Sequence, residues 1–332
     1  MAIRKPNESE MFTSVDSAPS RGGVAVAAPE RVVFEPHKAG IPKIEPYVDA
    51  LWKRRHFAAE LSKSTMRAAH STTFFGRLWL VLNPTLNAAV YYLLVVIIAG
   101  STGTSTHGPD FFCHLLAGLF AFNFIAQSMS TGAASVVGGG KLVMNTAFPR
   151  LLLPFSAVRT AFFRFLPTMI VFFVFFTGFS YFGPYSDHCA TDASGVKVCL
   201  PLNTLHFSPV MLLAIPSLML IMVFAAGLAA LFGALQVYFR DMTSFLPYIN
   251  RIWLYMSPVL YTAEQIADKK WMIRFEAFNP LFSLLGVWQD TLVRGVLPSF
   301  GAWLAAFGWA FGAFIFGALF FMSREREFAV RI

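Results

Sequence analysis

The chain has 332 residues, 56% of them hydrophobic and only 13% charged, with 37 phenylalanines and a mean hydropathy of +0.58. That balance excludes an ordinary soluble domain and sets the class as a polytopic membrane protein. The formal charge of +8 does not signal nucleic acid, because the basic residues carry no reader motif and sort by membrane side instead.

Residues 1–45 are rich in Ala, Pro, Ser and charge and have no amphipathic period, so they read as a disordered cytosolic tail. The most apolar run there, 24–28, is too short for the core of a signal peptide, and no cleaved leader is expected. Residues 46–77 read as an amphipathic interface helix and a link. Val48, Leu51, Trp52, Ala58, Ala59 and Met66 share one helical face, with Asp49, Lys53, Glu60 and Lys63 mostly off it. An ordinary solvated helix is the alternative, because Arg55 falls on the apolar face and Phe57 off it. Lys53, Arg54, Arg55, Lys63 and Arg67 mark the region as cytosolic.

Residues 78–323 read as an all-α transmembrane domain of six helices. The first span, 78–99, is about 22 residues or about 33 Å of helix, enough to cross the hydrocarbon, and Pro84 should kink it. The others fall at 111–136, 151–181, 209–238, 245–261 and 298–322. Asn123, Gln127, Ser128, Ser130 and Thr131 in the second span suit packing against other helices. Between spans two and three lies 137–154, VGGGKLVMNTAFPRLLLP, a short glycine-rich connector whose Lys141 and Arg150 put it on the cytosolic face as a contact surface.

Residues 183–208 form a polar outer loop with one cation, Lys197. Nine residues separate its Cys189 and Cys199, the disulfide candidates on the oxidising side, with two free thiols as the alternative. Region 263–297 reads as short re-entrant or outer-interface helices, one of them opened by Asn279 as N-cap and Pro280 at the first helical position. Residues 324–332 are a cytosolic tail. This topology places 18 Lys and Arg in the cytosol, 5 outside, and 3 within spans, namely Arg159, Arg164 and Arg251.

Chemistry within the chain is not expected. No carboxylate occurs between Asp110 and Asp187, and His114 is a poor replacement for the intramembrane acids of proton-coupled carriers. There is no HExxH, no Asp-rich motif and no clustered Cys and His, so neither a catalytic nor a metal site is read. Gly138, Gly139, Gly140 and Lys141 lack the spacing, the following Ser or Thr and the preceding strand of a phosphate loop. ATP hydrolysis would therefore belong to another polypeptide. Arg159 lies about 12 Å along its helix from Leu151 and can snorkel to the surface, whereas Arg164 lies about 20 Å along it. A lipid-exposed guanidinium at that depth costs at least ~2.5 kcal/mol, so Arg164 should face a water-filled path or bond helix carbonyls.

The order of motifs resembles the membrane subunits of ABC-2 type exporters of polysaccharides. The likeness rests on Gly76, Leu78, Trp79, Asn83 and Pro84; on Leu116, Ala117, Gly118, Leu119, Asn123 and Phe124; and on Phe148, Pro149, Arg150, Leu153, Pro154 and Ser156. It continues with Tyr238, Phe239, Arg240 and Asp241, with Ser257, Pro258 and Tyr261, and with Asn279, Pro280 and Leu281. His70, Ser71, Met144 and Asn145 depart from the usual pattern.

The resemblance implies a half-channel that forms a homodimer and pairs with two copies of a separate cytosolic ABC ATPase. ATP and Mg would sit on that partner and no cofactor on this chain, which would lie in a bacterial inner membrane with both termini cytosolic. The connector would be a coupling helix, with Lys141, Leu142, Val143, Met144, Asn145, Phe148 and Arg150 facing the ATPase. The substrate would be a polyprenyl-pyrophosphate-linked polysaccharide of O-antigen or cell-wall galactan type. Arg67, Arg77 and Arg159 would receive its pyrophosphate, with Arg164 deeper along the path; a snorkelled Arg159 and a carbonyl-bonded Arg164 are the structural alternative. Other readings are an ABC-2 exporter of a small lipid or drug, an ATP-independent flippase and a lipid-linked sugar transferase.

Overall fold

The computed structural model describes residues 43–69, 76–102, 109–140, 142, 148–182, 187–191, 197–201, 205, 207–261 and 278–331. They belong to the compact unit Gly40–Ile332; the expected tail over 1–45 falls almost wholly outside the described residues.

The described residues are helical apart from one hairpin. α1 (Ile44–Lys53) and α2 (Arg55–Ala69) replace the single amphipathic helix expected within 46–77, with a break at Arg54. Tyr47 and Leu51 of α1 pack inward, while Ile44, Val48 and Trp52, four residues apart on the helix, form an exposed apolar stripe. Val48, Leu51 and Trp52 therefore do not share a single environment as expected. Arg55 lies 4.7 Å from the Trp52 ring centroid and donates to the Trp52 carbonyl at 3.0 Å, so its charge is accommodated next to the stripe.

A 3-10 turn (Gly76–Leu78) leads into α3 (Trp79–Thr102), which runs through Pro84 without ending. Then come α4 (Pro109–Gly138) and α5 (Leu152–Phe182). The loop after α5, within the segment read as a polar outer loop, contains an antiparallel hairpin of β1 (Asp187–Thr191) and β2 (Lys197–Pro201). α6 (Ala214–Tyr238) follows a 3-10 turn capped by Ser208. α7 (Met242–Tyr255) and α8 (Pro280–Gln289) are short, and α8 continues as a π-helical turn, Asp290–Arg294, ended by Gly295 at φ +63. The long α9 (Phe300–Arg324) leads through a 3-10 turn into α10 (Phe328–Arg331).

Among the described residues four helices are long and apolar enough to cross a membrane: Asp110–Gly138, Leu152–Tyr181, Pro209–Tyr238 and Phe300–Glu327. α3, with 24 residues, is about 36 Å long. Within the fifth span expected at 245–261 the helix itself is α7, 14 residues and about 21 Å long, shorter on its own than the hydrocarbon core. It stops because Ser257 precedes a proline, which disfavours helical backbone, and the chain turns with Val259 N–H donating to the Ser257 carbonyl at 2.7 Å.

α4 is the central helix. Most of its apolar stretch is inside the protein, whereas α5 and α9 leave most of theirs outside. Small residues set how closely its neighbours approach. A Cβ on Gly132 of α4 would lie 2.5 Å from the Ala229 Cβ of α6, and one on Gly227 of α6 would lie 2.5 Å from the Ala313 backbone of α9. Gly317 meets the Gly227 carbonyl in the same way. Where no water is expelled on association, such backbone approach is a main source of helix attraction. α8 docks on α4 through polar bonds: Trp288 Nε1 donates to the Ala117 carbonyl at 3.1 Å and Gln289 Nε2 to the His114 carbonyl at 3.2 Å.

Candidate functional site

Among the described residues, two gatherings of polar side chains include residues that the sequence singled out as connector or substrate contacts. The first is the end where α4 stops and α5 starts. Gly139 N–H donates to Ser135 and Leu142 N–H to Gly139, so the connector begins as a fading helical turn. Lys141 and residues 143–147, including Val143, Met144 and Asn145, lie outside the described residues. Phe148 returns against α2, its ring 5.3 Å from that of Phe57. Phe57 thus sits off the apolar face of its own helix because its partner comes from the connector. Next to it, Thr160 of α5 donates to the Ser62 hydroxyl of α2 at 2.9 Å.

Arg150 is the junction. Its backbone N–H donates to Glu325 Oε1 at 2.6 Å and its guanidinium to the Glu325 carbonyl, while the Tyr47 hydroxyl donates to Glu325 Oε2 at 2.6 Å. One half-buried carboxylate at the end of α9 therefore ties down α1, α9 and the start of α5. Burial, and after it the Glu325 charge, hold the Tyr47 phenol above its ordinary pKa. A parallel cluster secures the end of α6. Tyr238 donates to Glu327 Oε2 at 2.6 Å, the Arg331 guanidinium lies 4.4 Å over the Tyr238 ring, and Arg240 donates to the Arg331 carbonyl at 3.2 Å. Gln236 staples the turn between α6 and α7, accepting from Thr243 N–H at 2.9 Å and donating to the Arg240 carbonyl at 2.7 Å. Tyr47, Glu325 and Glu327 were not legible as site residues, since each gains its role from a partner between 89 and 278 positions away.

The second place is a cavity of about 380 Å³ between α3, α4 and α5. Trp79, Asn83, Asn123, Gln127, Arg164 and Thr168 supply its polar lining, and Arg164 Nε is buried without a hydrogen-bond partner. No carboxylate lines it. Of the arginines read as pyrophosphate ligands whose side chains are described, Arg164 alone lines this cavity. Arg159, five residues earlier, is turned about 140° away around the helix; it is exposed, with its guanidinium 5.2 Å from the Phe163 ring centroid. Arg67 is exposed on α2, and the Arg77 side chain lies outside the described residues.

α7 presents Phe245, Tyr248, Arg251, Ile252 and Tyr255 on one exposed face, and Tyr91 of α3 lies next to Tyr255 and Arg251. Tyrosines and an arginine on the outside of an apolar bundle mark a surface that does not face hydrocarbon alone. In the hairpin, Cys189 and Cys199 are directly opposed cross-strand partners. Opposed antiparallel residues have Cα atoms about 4.5–5.5 Å apart, within the range a disulfide spans.

No family model matches the chain. It is 26% identical over 238 residues, 71% of its length and 80% of the relative's, to the O-antigen export system permease protein RfbA of Klebsiella pneumoniae. It is also 26% identical over 288 residues, 86% of its length and 98% of the relative's, to the protein of the same name from Myxococcus xanthus. The likeness agrees with the one carried by the motifs: the chain is a helical membrane protein and a distant homologue of the O-antigen export permeases, the membrane subunits of ABC-2 polysaccharide exporters.

Proposed function

We propose that the chain is the transmembrane subunit of an ATP-driven ABC exporter that moves a polyprenyl-pyrophosphate-linked polysaccharide, of O-antigen or cell-wall galactan type, from the cytosol across the inner membrane. The observation that carries this reading, beside the homology, is the Arg164 cavity. It combines a guanidinium, amides and a hydroxyl with no carboxylate, donor-rich chemistry that suits a phosphate held at membrane depth. Arg67, Arg77 and Arg159 add positive charge where the substrate approaches.

In this reading both termini and the 137–154 connector are cytosolic. α3 is the first span, and α7 together with the turn after it is the fifth. α8 and its π-helical turn lie at the outer face, and α9 completes six spans. Two copies of the chain form the channel, and two copies of an ABC ATPase, which bind ATP and Mg, dock on the connector. The Arg150, Glu325 and Tyr47 junction supports the docking assignment, because force applied to the connector would pass directly to α1, α5 and α9. Cys189 and Cys199 form a disulfide in the outer loop. The decisive experiment is depletion of the protein in its native host, followed by recovery of lipid-linked glycan. Accumulation of finished glycan on the cytosolic leaflet is expected; normal surface glycan after depletion overturns the reading.

A further inference from the structure

The end of the bundle opposite Glu325 contains a second cavity, of about 360 Å³, between α4, α8 and the start of α9. That volume is in the range of small-molecule sites. His114 is only 6% exposed, lines the cavity, and has neither ring nitrogen in a hydrogen bond. The backbone of Pro258 and Tyr261 stands beside the ring, but neither closes a bond with it. A buried imidazole with both nitrogens unmatched is expensive unless something polar enters to meet it.

The rest of the lining says what that is. Asp290 and Arg294, at opposite ends of the π-helical turn, form an ion pair at 3.6 Å on the cavity wall. π-turns are rare and concentrate at functional sites, and this one is anchored: Gln289 bonds the His114 carbonyl at 3.2 Å, and Gly295 ends the turn in the left-handed conformation. The carboxylate and the guanidinium cancel, so neither an anion nor a cation is favoured by charge. An apolar ligand would leave the imidazole unmatched. Phe282 offers a flat apolar face, and Gly286, Ala302 and Ala305 leave the space open by being small. Donors and acceptors together with one aromatic face match a neutral polyhydroxylated ring.

We infer that the cavity bounded by His114, Phe282, Asp290 and Arg294 is a saccharide subsite that holds one sugar unit of the exported chain at the outer face. The inference rests on the proposed export function for the polymer's presence, but the binding itself can be measured without export.

The test is saturation-transfer difference NMR on the full-length protein in lipid nanodiscs. Methyl galactoside, methyl mannoside and methyl rhamnoside are the probes, with inorganic phosphate as the anionic control. Transfer to the ring protons of at least one glycoside is expected. It should disappear in His114→Phe and in Ala305→Leu, which adds bulk at the cavity wall, and persist in Gly312→Ala, whose added Cβ meets nothing within 4 Å. Ala305→Leu decides the matter should His114→Phe unfold. No transfer from any glycoside, or equal transfer in wild type and Ala305→Leu, overturns the subsite; so does phosphate binding that Ala305→Leu removes. A working exporter without glycoside transfer would sink only the subsite. Glycoside transfer in a protein whose depletion leaves surface glycan normal would sink only the export reading.

Discussion

Glu325 shows how much a single carboxylate can organise. It accepts from Tyr47 and from the Arg150 backbone on separate oxygens, an arrangement that a glutamine cannot reproduce, because its amide has one acceptor and one donor group. Hydrogen bonds to charged groups contribute about 1.5–3 kcal/mol. Tyr47→Phe and Glu325→Gln should therefore each lower the thermal midpoint of the purified protein by several degrees. The double variant should fall by less than the sum, since both remove the same bond; full additivity would show that the two residues are not coupled. The raised Tyr47 pKa has a sign. Above the ordinary phenol value of about 10, the unfolded chain loses a proton that the folded chain keeps, so this contribution is complete below that pH and declines above it. Tyr47→Phe should correspondingly flatten the alkaline loss of stability, measured by melting between neutral pH and about pH 11.

At the same scale, Arg164 and Arg159 separate two kinds of intramembrane arginine. Arg164 lines a cavity without carboxylates and has an unmatched Nε, whereas Arg159 is exposed and lies over Phe163. Arg164→Gln should lower export about tenfold or more, as expected for losing a charged hydrogen bond to a phosphate. Arg159→Gln should have a smaller effect. Transport assays on the two variants at matched expression decide the order, and equal wild-type rates would remove the arginines from the substrate path.

At the scale of elements, helices meet where side chains are nearly absent. Gly227 and Gly317 place α6 and α9 backbone to backbone, so Gly227→Leu has no space without moving a helix axis. Overpacking a tight core typically costs 1–3 kcal/mol, and Gly227→Leu should reduce the yield of folded protein on size-exclusion chromatography. Gly308→Ala on α9, whose added Cβ meets nothing within 4 Å, should behave as wild type. The hairpin gives a second test. The opposed positions of Cys189 and Cys199 predict a single intrachain disulfide, visible in peptide mass spectra of unreduced protein as one linked pair. Labelling of both thiols without reductant would exclude it.

For the whole molecule, the prediction concerns what binds the end of the bundle where the connector lies. A tagged full-length chain purified from its host should retain an ABC ATPase. Replacing 142–145 with Gly and Ser should release that ATPase while the protein remains folded; undiminished retention would move the docking surface elsewhere. Substituted-cysteine labelling at 205 and 240 should place these positions on opposite sides of the membrane, as expected for α6 as a span.

The long helices were legible from the sequence because hydrocarbon demands an apolar, fully bonded backbone, and runs such as 209–238 satisfy this residue by residue. Asn279 and Pro280 announced the start of α8 because capping is local, and the Asn279 side chain accepts from Leu281 N–H as that signature requires. The break at Arg54 and the hairpin in the loop after α5 were not legible; neither carries a strong periodic signal over its own few residues. Nor was the junction at Glu325, which is formed by residues with no common period or motif. The tertiary structure alone decided which arginine enters a cavity, which face of α7 stays open, and which of the apolar helices becomes the centre. Those outcomes depend on where small residues allow two backbones to meet, a property of pairs of helices that no single stretch of sequence contains.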